Sequence, residues 1–200
     1  MQSALDHFRM NLGYSRNLGV IYKVLKAGTT TALDLSDILR AEFVLSVSAL
    51  DYYVHELVEI GMQEIYAKRR PPTSKFLSFS VSLGNFWQDN SVLLTHDWLI
   101  DEVRTKHSFR SFQRPDNIAE AVRLIIDVDL WNDVSKIVGM PVQDVKGRLE
   151  IIVDRRNKIA HEADVDPANP GSRWPINAAE VDDVVHFIEK IGEALYQVLK

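Results

Sequence analysis

Between Leu33 and Lys68 the chain has no proline, and no glycine before Gly61. Asp34 or Thr31 stands where a helix cap belongs. Phe43, Val44, Leu45, Val47 and Leu50 cover most of the circumference of the helix this stretch predicts. A helix that is apolar nearly all round must be buried, so the remaining chain has to wrap it. With 200 residues, 46% of them hydrophobic and 26% charged, one domain of ordinary size can do so.

Three polar residues interrupt that helix. Arg40 and Asp51 are eleven positions apart and nearly in phase, so they share a face, roughly 16 Å apart along the axis. His55 follows Asp51 by one turn. They form a polar edge on a core helix, or Asp51 and His55 support a site built elsewhere. Lys68-Arg69-Arg70-Pro71-Pro72 then ends the helix, because proline cannot continue it.

The flanking segments carry helical signals too. Leu5, Phe8 and Leu12, then Leu18, Ile21, Tyr22 and Leu25, predict a helix over 1–26, with Gly13 marking a bend. Leu94, Trp98 and Val103 predict one over 91–106. Ile118, Val122 and Ile125 follow Pro115, and Leu130, Trp131, Val134 and Ile137 continue or restart that helix up to Gly139. After a loop over 164–175, Asn177 and Glu180 make a capping-box-like start for a last helix. Leu77, Phe79, Val81 and Leu83 alternate with serines at the period of a strand, yet no second strand exists to pair with it. That stretch is an extended segment over the helices or a helix in disguise. The expected fold is all-α, a bundle of about five to seven helices.

Several functions are excluded or disfavoured. The chain has no cysteine, hence no disulfide, thiolate metal site or Cys nucleophile. His7, His55, His96, His107, His161 and His186 are dispersed without H-x3-H spacing, and no metal or other cofactor is expected. No G-x-S-x-G is present. The start of the chain lacks a signal-peptide pattern, and no apolar run approaches the ~18 residues of a membrane span. A cytoplasmic protein is expected, with no membrane partner. With 23 Lys and Arg against 28 Asp and Glu the net charge is −5, so any contact with nucleic acid needs a local basic patch.

Such a patch ends the helix that begins near Pro141. Val142, Val145, Leu149 and Ile152 mark its buried stripe, and the next position in phase is Arg156. A guanidinium that stays charged at neutral pH thus falls where the pattern requires an apolar side chain. It needs a carboxylate, a phosphate or a wet interface, unless the helix end is simply exposed. His161 lies five residues on, about 140° round a straight helix, so the two do not share a face. Asn157 is the residue in line with His161. A frayed helix end or the reach of the Arg side chain would bring Arg156 and His161 together. So would a second copy of the chain, if two such helix ends met at a two-fold axis and lined one cleft with both arginines and both histidines.

Arg156-Asn157-Lys158-Ile159-Ala160-His161 resembles the R-x4-6-H signature of the HEPN superfamily. The wider pattern is similar to its RiboL-PSP-like branch: Leu39-Arg40 through Ala49-Leu50-Asp51 and Val54, then Ser111-Phe112-Gln113 before the Pro115 helix, then Arg-Arg-Asn-x-Ile-Ala-His-Glu. The resemblance spans roughly residues 33–199. It implies a single HEPN-like helical domain over 1–200, with an N-terminal helix and linker at 1–32 and a core at 33–200. It also implies a homodimer formed through the signature helices. The activity it implies is metal-independent endoribonuclease action on RNA, in a toxin-antitoxin or antiphage setting, with a nucleotidyltransferase-type antitoxin as a possible partner. The alternative is a non-catalytic HEPN module that binds nucleotide, RNA or a partner protein.

The chemistry fits these side chains. His161 suits proton transfer at neutral pH and Arg156 suits a phosphorane. Asn157 would orient His161 or hold a phosphate oxygen. Arg155 and Lys158 would bind RNA phosphates, with Lys146, Arg148 and the Lys68–Arg70 run extending the patch. Asp51 and His55 are the expected supporting residues.

Overall fold

The structure, a computed structural model, describes residues 1–30, 32–82 and 97–200. Thr31, Leu83 and Leu94, and the first six residues of the helix expected over 91–106, lie outside them. Among the described residues there are eight helices: α1 (Gln2–Gly28), α2 (Ser36–Tyr66), α3 (Ser74–Leu77), α4 (Asp97–His107), α5 (Pro115–Val122), α6 (Leu130–Val138), α7 (Val142–His161) and α8 (Ala178–Leu199). None is long and apolar enough to cross a membrane.

The long expected helix is the axis of the bundle. α2 packs against α1, α4, α5, α7 and α8, and Val47, Leu50, Tyr53, Val54, Leu57 and Val58 are fully buried along it. Asp34 takes the Ser36 N–H at 2.8 Å, one residue outside the cap. Gly61 does not break α2. Ile125 lies so close there that a Cβ would meet its Cγ2 at 2.6 Å. The end is a left-handed turn at Lys68 (φ 58°). Lys68 N donates to Ile65 O at 2.9 Å and Arg69 N to Glu64 O at 2.8 Å, which satisfies two terminal carbonyls before the prolines.

α1 runs through Gly13 without interruption and buries Ala4, Leu5, Phe8, Leu12, Ser15 and Gly19. The second apolar set expected inside is not the buried one. Ile21 and Leu25 are exposed, because the helix keeps its phase from Leu12 onto Ser15 and Gly19. At the far end Phe8 stacks on Tyr53 with ring centroids 4.7 Å apart. It also lies against Gly192 of α8, where a Cβ would sit 2.0 Å from Phe8 Cε1.

The segment 115–138 is two helices, not one. Pro115 opens α5, a turn at 123–126 breaks it, and the Asp129 side chain caps α6 by accepting from Asn132 N. Trp131 Nε1 donates to Pro115 O at 2.9 Å and ties the two together. Gly139 ends α6 in the left-handed region, as expected, and Asn177 caps α8 by accepting from Glu180 N at 3.0 Å. Among its described residues the alternating stretch is neither a paired strand nor a longer helix. Leu77 closes the single turn of α3, and 79–82 have no repeating structure.

Candidate functional site

α7 stays helical from Val142 to His161 and buries Val145, Leu149, Ile152 and Val153. Its end is not frayed, so Arg156 and His161 diverge as the helical projection requires. Past the C-cap, Ala163 (φ 52°) and Asp164 (φ 58°) are both left-handed, a conformation rarer for Ala than for Asp. The chain turns back sharply, and Asp164 N donates to Lys158 O at 3.0 Å.

This turn buries Asp164 completely. Its Oδ2 accepts from Arg40 Nε at 2.8 Å and from Arg155 Nη2 at 2.9 Å. Arg40 is itself buried and also donates to Ser36 Oγ at 2.6 Å and to Trp174 O at 2.8 Å. Arg155 Nη2 reaches the carbonyl of Pro175 at 3.2 Å. Two guanidiniums thus share one buried carboxylate, whose Oδ1 has no partner. Burial pushes the Arg155 guanidinium below its usual pKa, and Asp164 opposes that shift. The loop 164–174 is ordered on the same core: Trp174 N donates to Asp164 O at 2.9 Å, and Val165 bridges Arg173. Arg155, expected on phosphate, is therefore turned inward. Neither Asp164 nor its pairing with Arg40 was anticipated. Arg40 was visible as a charge on a core helix, but nothing in the periodicity points to Asp164.

Arg156 is the unsettled cation. It is half-buried, and its Nη1 donates to Asn157 Oδ1 at 3.1 Å. Its Nε is buried with no hydrogen-bond partner, and no carboxylate among the described residues pairs with it. Asn157 is thus engaged by Arg156 and makes no hydrogen bond to His161. Lys158 is exposed, with Nζ 5.6 Å from the centre of the Trp174 ring. His161 is exposed, and among the described residues its side chain has neither hydrogen bond nor ion pair. Ile151, ten residues earlier on the same helix, is 70% exposed.

The other expected residues sit elsewhere. Asp51 accepts from Phe112 N at 2.6 Å and from Gln113 Nε2 at 2.9 Å. His55 lies against the Phe112 ring, with centroids 4.4 Å apart. No hydrogen bond or ion pair joins Asp51 or His55 to Arg156 or His161. Asp51 instead fixes the segment ahead of α5, from which Arg114 pairs with Asp154 of α7. The cations expected to widen the patch are mostly matched. Lys146 pairs with Asp116 at 2.8 Å, Arg148 with Asp183, and Arg70 with Glu64 at 3.1 Å; Lys68 and Arg69 are exposed. Among the described residues no group of three or more His, Asp or Glu side chains is arranged to hold a metal ion.

What α7 offers is a half-buried guanidinium without a carboxylate partner among the described residues, with an exposed imidazole five residues further on. The model of a family described as RiboL-PSP-HEPN matches residues 15–200. No curated protein and no solved structure matches.

Proposed function

The chain belongs to the RiboL-PSP-HEPN family, and on that premise we propose that it is a metal-independent endoribonuclease whose site is assembled by two copies. The observation that carries this reading is Arg156. Its guanidinium interrupts the apolar stripe, its Nε is buried without a partner, and no carboxylate among the described residues answers its charge. A buried polar donor left unpaired is costly, and a phosphate oxygen is the acceptor its fork fits.

In this reading the 2'-hydroxyl attacks the adjacent phosphorus as the P–O5' bond breaks. The products are a 2',3'-cyclic phosphate and a 5'-hydroxyl. His161 takes the 2'-hydroxyl proton, and the departing 5'-oxygen takes one from water. Arg156 neutralises the non-bridging oxygens as charge builds on them. Asn157 holds the Arg156 fork, and Lys158 adds positive potential at the mouth. Arg155 adds charge to the field while its hydrogen bonds hold Asp164. Asp51 and His55 act at a distance, by fixing the segment that carries Arg114 to α7.

Arg156 and His161 diverge on a regular helix, so His161 of one copy would serve Arg156 of the other. The outer face of α7, with Ile151 at its centre, would make the contact. A toxin or antiphage role, opposed by a nucleotidyltransferase-type antitoxin, is the biological setting this reading favours. The divergence of the two residues also supports a second reading: a chain that stays monomeric would be a non-catalytic module that binds RNA, nucleotide or protein through Arg156.

The test is cleavage of mixed RNAs by the purified protein, with and without chelator. Chelator-resistant cleavage that leaves cyclic phosphate ends and disappears in His161→Ala is the expected result. Undiminished cleavage in both His161→Ala and Arg156→Ala would sink the proposal.

A further inference from the structure

α1 carries a second apolar stripe that the bundle does not cover. Its inner face buries Leu12, Ser15 and Gly19 against the core. On the opposite side Met10, Tyr14, Asn17, Ile21 and Val24 follow one another at steps of four, three, four and three. That is the spacing of a seam between two packed helices. Met10, Tyr14, Ile21 and Val24 are between 46% and 66% exposed, and Val20 and Leu25 beside them are exposed too. Ile21 and Leu25, shut out of the core by the phase of the helix, thus belong to a face of their own.

Charge narrows what can cover that face. Between Met10 and Leu25 the only charged residues are Arg16 and Lys23. Both are neutralised from α8, Arg16 by Glu189 at 2.7 Å and Lys23 by Asp182 at 2.8 Å. The stripe therefore has no spare positive charge for an anionic lipid surface, where a helix of this kind needs it. It also has no net charge to repel its own copy. Asn17 narrows the choice further. It stands in the middle of the stripe, exposed, and its side chain has no hydrogen bond among the described residues. An amide covered by an apolar seam is costly unless it meets a group that both donates and accepts. Its counterpart across a two-fold axis is such a group, each amide N–H donating to the other's oxygen, and a lone Asn in a seam fixes register. Nothing lies within 4 Å of where a Cβ would stand on Gly13, so a second helix can come close there. The stripe is roughly 22 Å long. Side chains of this size and exposure offer on the order of 500 Å² per copy, and a symmetric pair removes about 1,000 Å² from water, which meets the need of a specific interface.

We propose that α1 is an interface with a second copy of the chain, its stripe from Met10 to Leu25 packed on the same stripe about a two-fold axis beside Asn17. The contact uses no residue of α7 and stands whether or not α7 cleaves RNA. Where both helices make their contacts, two pairs join into a tetramer. The mass of the full chain carrying Ile151→Arg, which removes the proposed α7 contact, would be measured by sedimentation equilibrium from about 1 to 100 μM. It should reach at least twice the 22.8 kDa of one chain. Adding Ile21→Glu and Val24→Glu, both at exposed positions, should halve that mass and leave the helical circular dichroism unchanged. Asn17→Cys places a single thiol in a chain that has none. Mild oxidation should link two such chains about tenfold or more faster than it links Lys136→Cys, exposed on α6, and the two glutamates should cancel the difference. A single-chain mass for Ile151→Arg at the highest concentration would overturn the proposal. So would a mass that the two glutamates do not change, or equal linking rates at the two positions. A single chain that sediments with vesicles of phosphatidylcholine and phosphatidylglycerol would give the face to lipid, and one that does not would give it to a different protein; both outcomes count against a second copy.

Discussion

The Arg40 Nε–H donates to Asp164 Oδ2 at 2.8 Å across 124 residues of chain, joining the central helix to the turn after α7. Arg155 donates to the same oxygen. Replacing Asp164 by Asn leaves two guanidiniums, one of them deeply buried, without their anion. Breaking a buried pair from one side costs about 3–5 kcal/mol. Urea unfolding of Asp164→Asn should show a loss of that order, and the 164–174 backbone amides should exchange faster. A loss under about 0.5 kcal/mol, the level of an ordinary surface change, would mean that the turn is held by something else.

Arg156 should behave in the opposite way. The bundle gains little from it, since its Nε is buried unpaired. Arg156→Met keeps the length of the side chain and removes the unmet donor. Its midpoint in urea should be equal to or above that of the parent chain, while RNA cleavage should fall by about a hundredfold or more. A large loss of stability in this variant would place Arg156 among the structural residues instead.

Glu42 sets a pH dependence. Its carboxyl is buried beside Gly19, and burial, aided by Asp182, pushes its pKa up from 4.5 to about 7, against the pull of Lys23 and Arg16. The native state therefore holds this proton more tightly than the unfolded chain does. Its ionisation destabilises the fold progressively as pH rises from about 4.5 to 7, and fully above that. Glu42→Gln should be more stable than the parent at pH 8 by up to roughly 3 kcal/mol. The difference should close as the pH falls to 5. Parallel melting curves for the two proteins across that range would refute the assignment.

The proposed composite site permits a mixing experiment. Arg156→Ala and His161→Ala chains are each expected to be inactive alone. Unfolded together in equal amounts and refolded, half of the dimers pair one of each, and each such dimer holds one intact Arg156–His161 site. About a quarter of the parent activity should return. Ile151→Arg on either chain should prevent this recovery and halve the mass seen by light scattering. No recovery from a mixture that does dimerise would put both residues of a working site in one chain.

The bundle's frame was legible because it rests on local periodicity. Uninterrupted apolar surface located α2, the stripe from Val142 to Ile152 located α7, and Asn177 with Glu180 located the start of α8. The same projection separates Arg156 from Arg155. What escaped was non-local. Asp164 reads as the first residue of a polar loop until the turn at Ala163 carries it under α7 to Arg40. Asp51 stands out in the sequence as a charge on a core helix, but its partners, Phe112 N and Gln113, lie some sixty positions away. The apolar set at Ile21 and Leu25 misled because spacing alone does not say which face a neighbour covers. The serine alternation left its segment undecided for a related reason: period two needs a second strand before it means a sheet.

The fit of Phe8 against Gly192 is an agreement between two positions 184 apart in the numbering, and it leaves a trace in inheritance. While the ring is in place no side chain can enter at 192, and while 192 is bare the slot goes unfilled unless something as large as Phe occupies position 8. Relatives that shortened or lost the first two turns of α1 would be free to drift to alanine or larger at 192; those that kept the ring would not. The pair should therefore covary across the family, and its state should show which descendants still close the bundle with their own N-terminal helix.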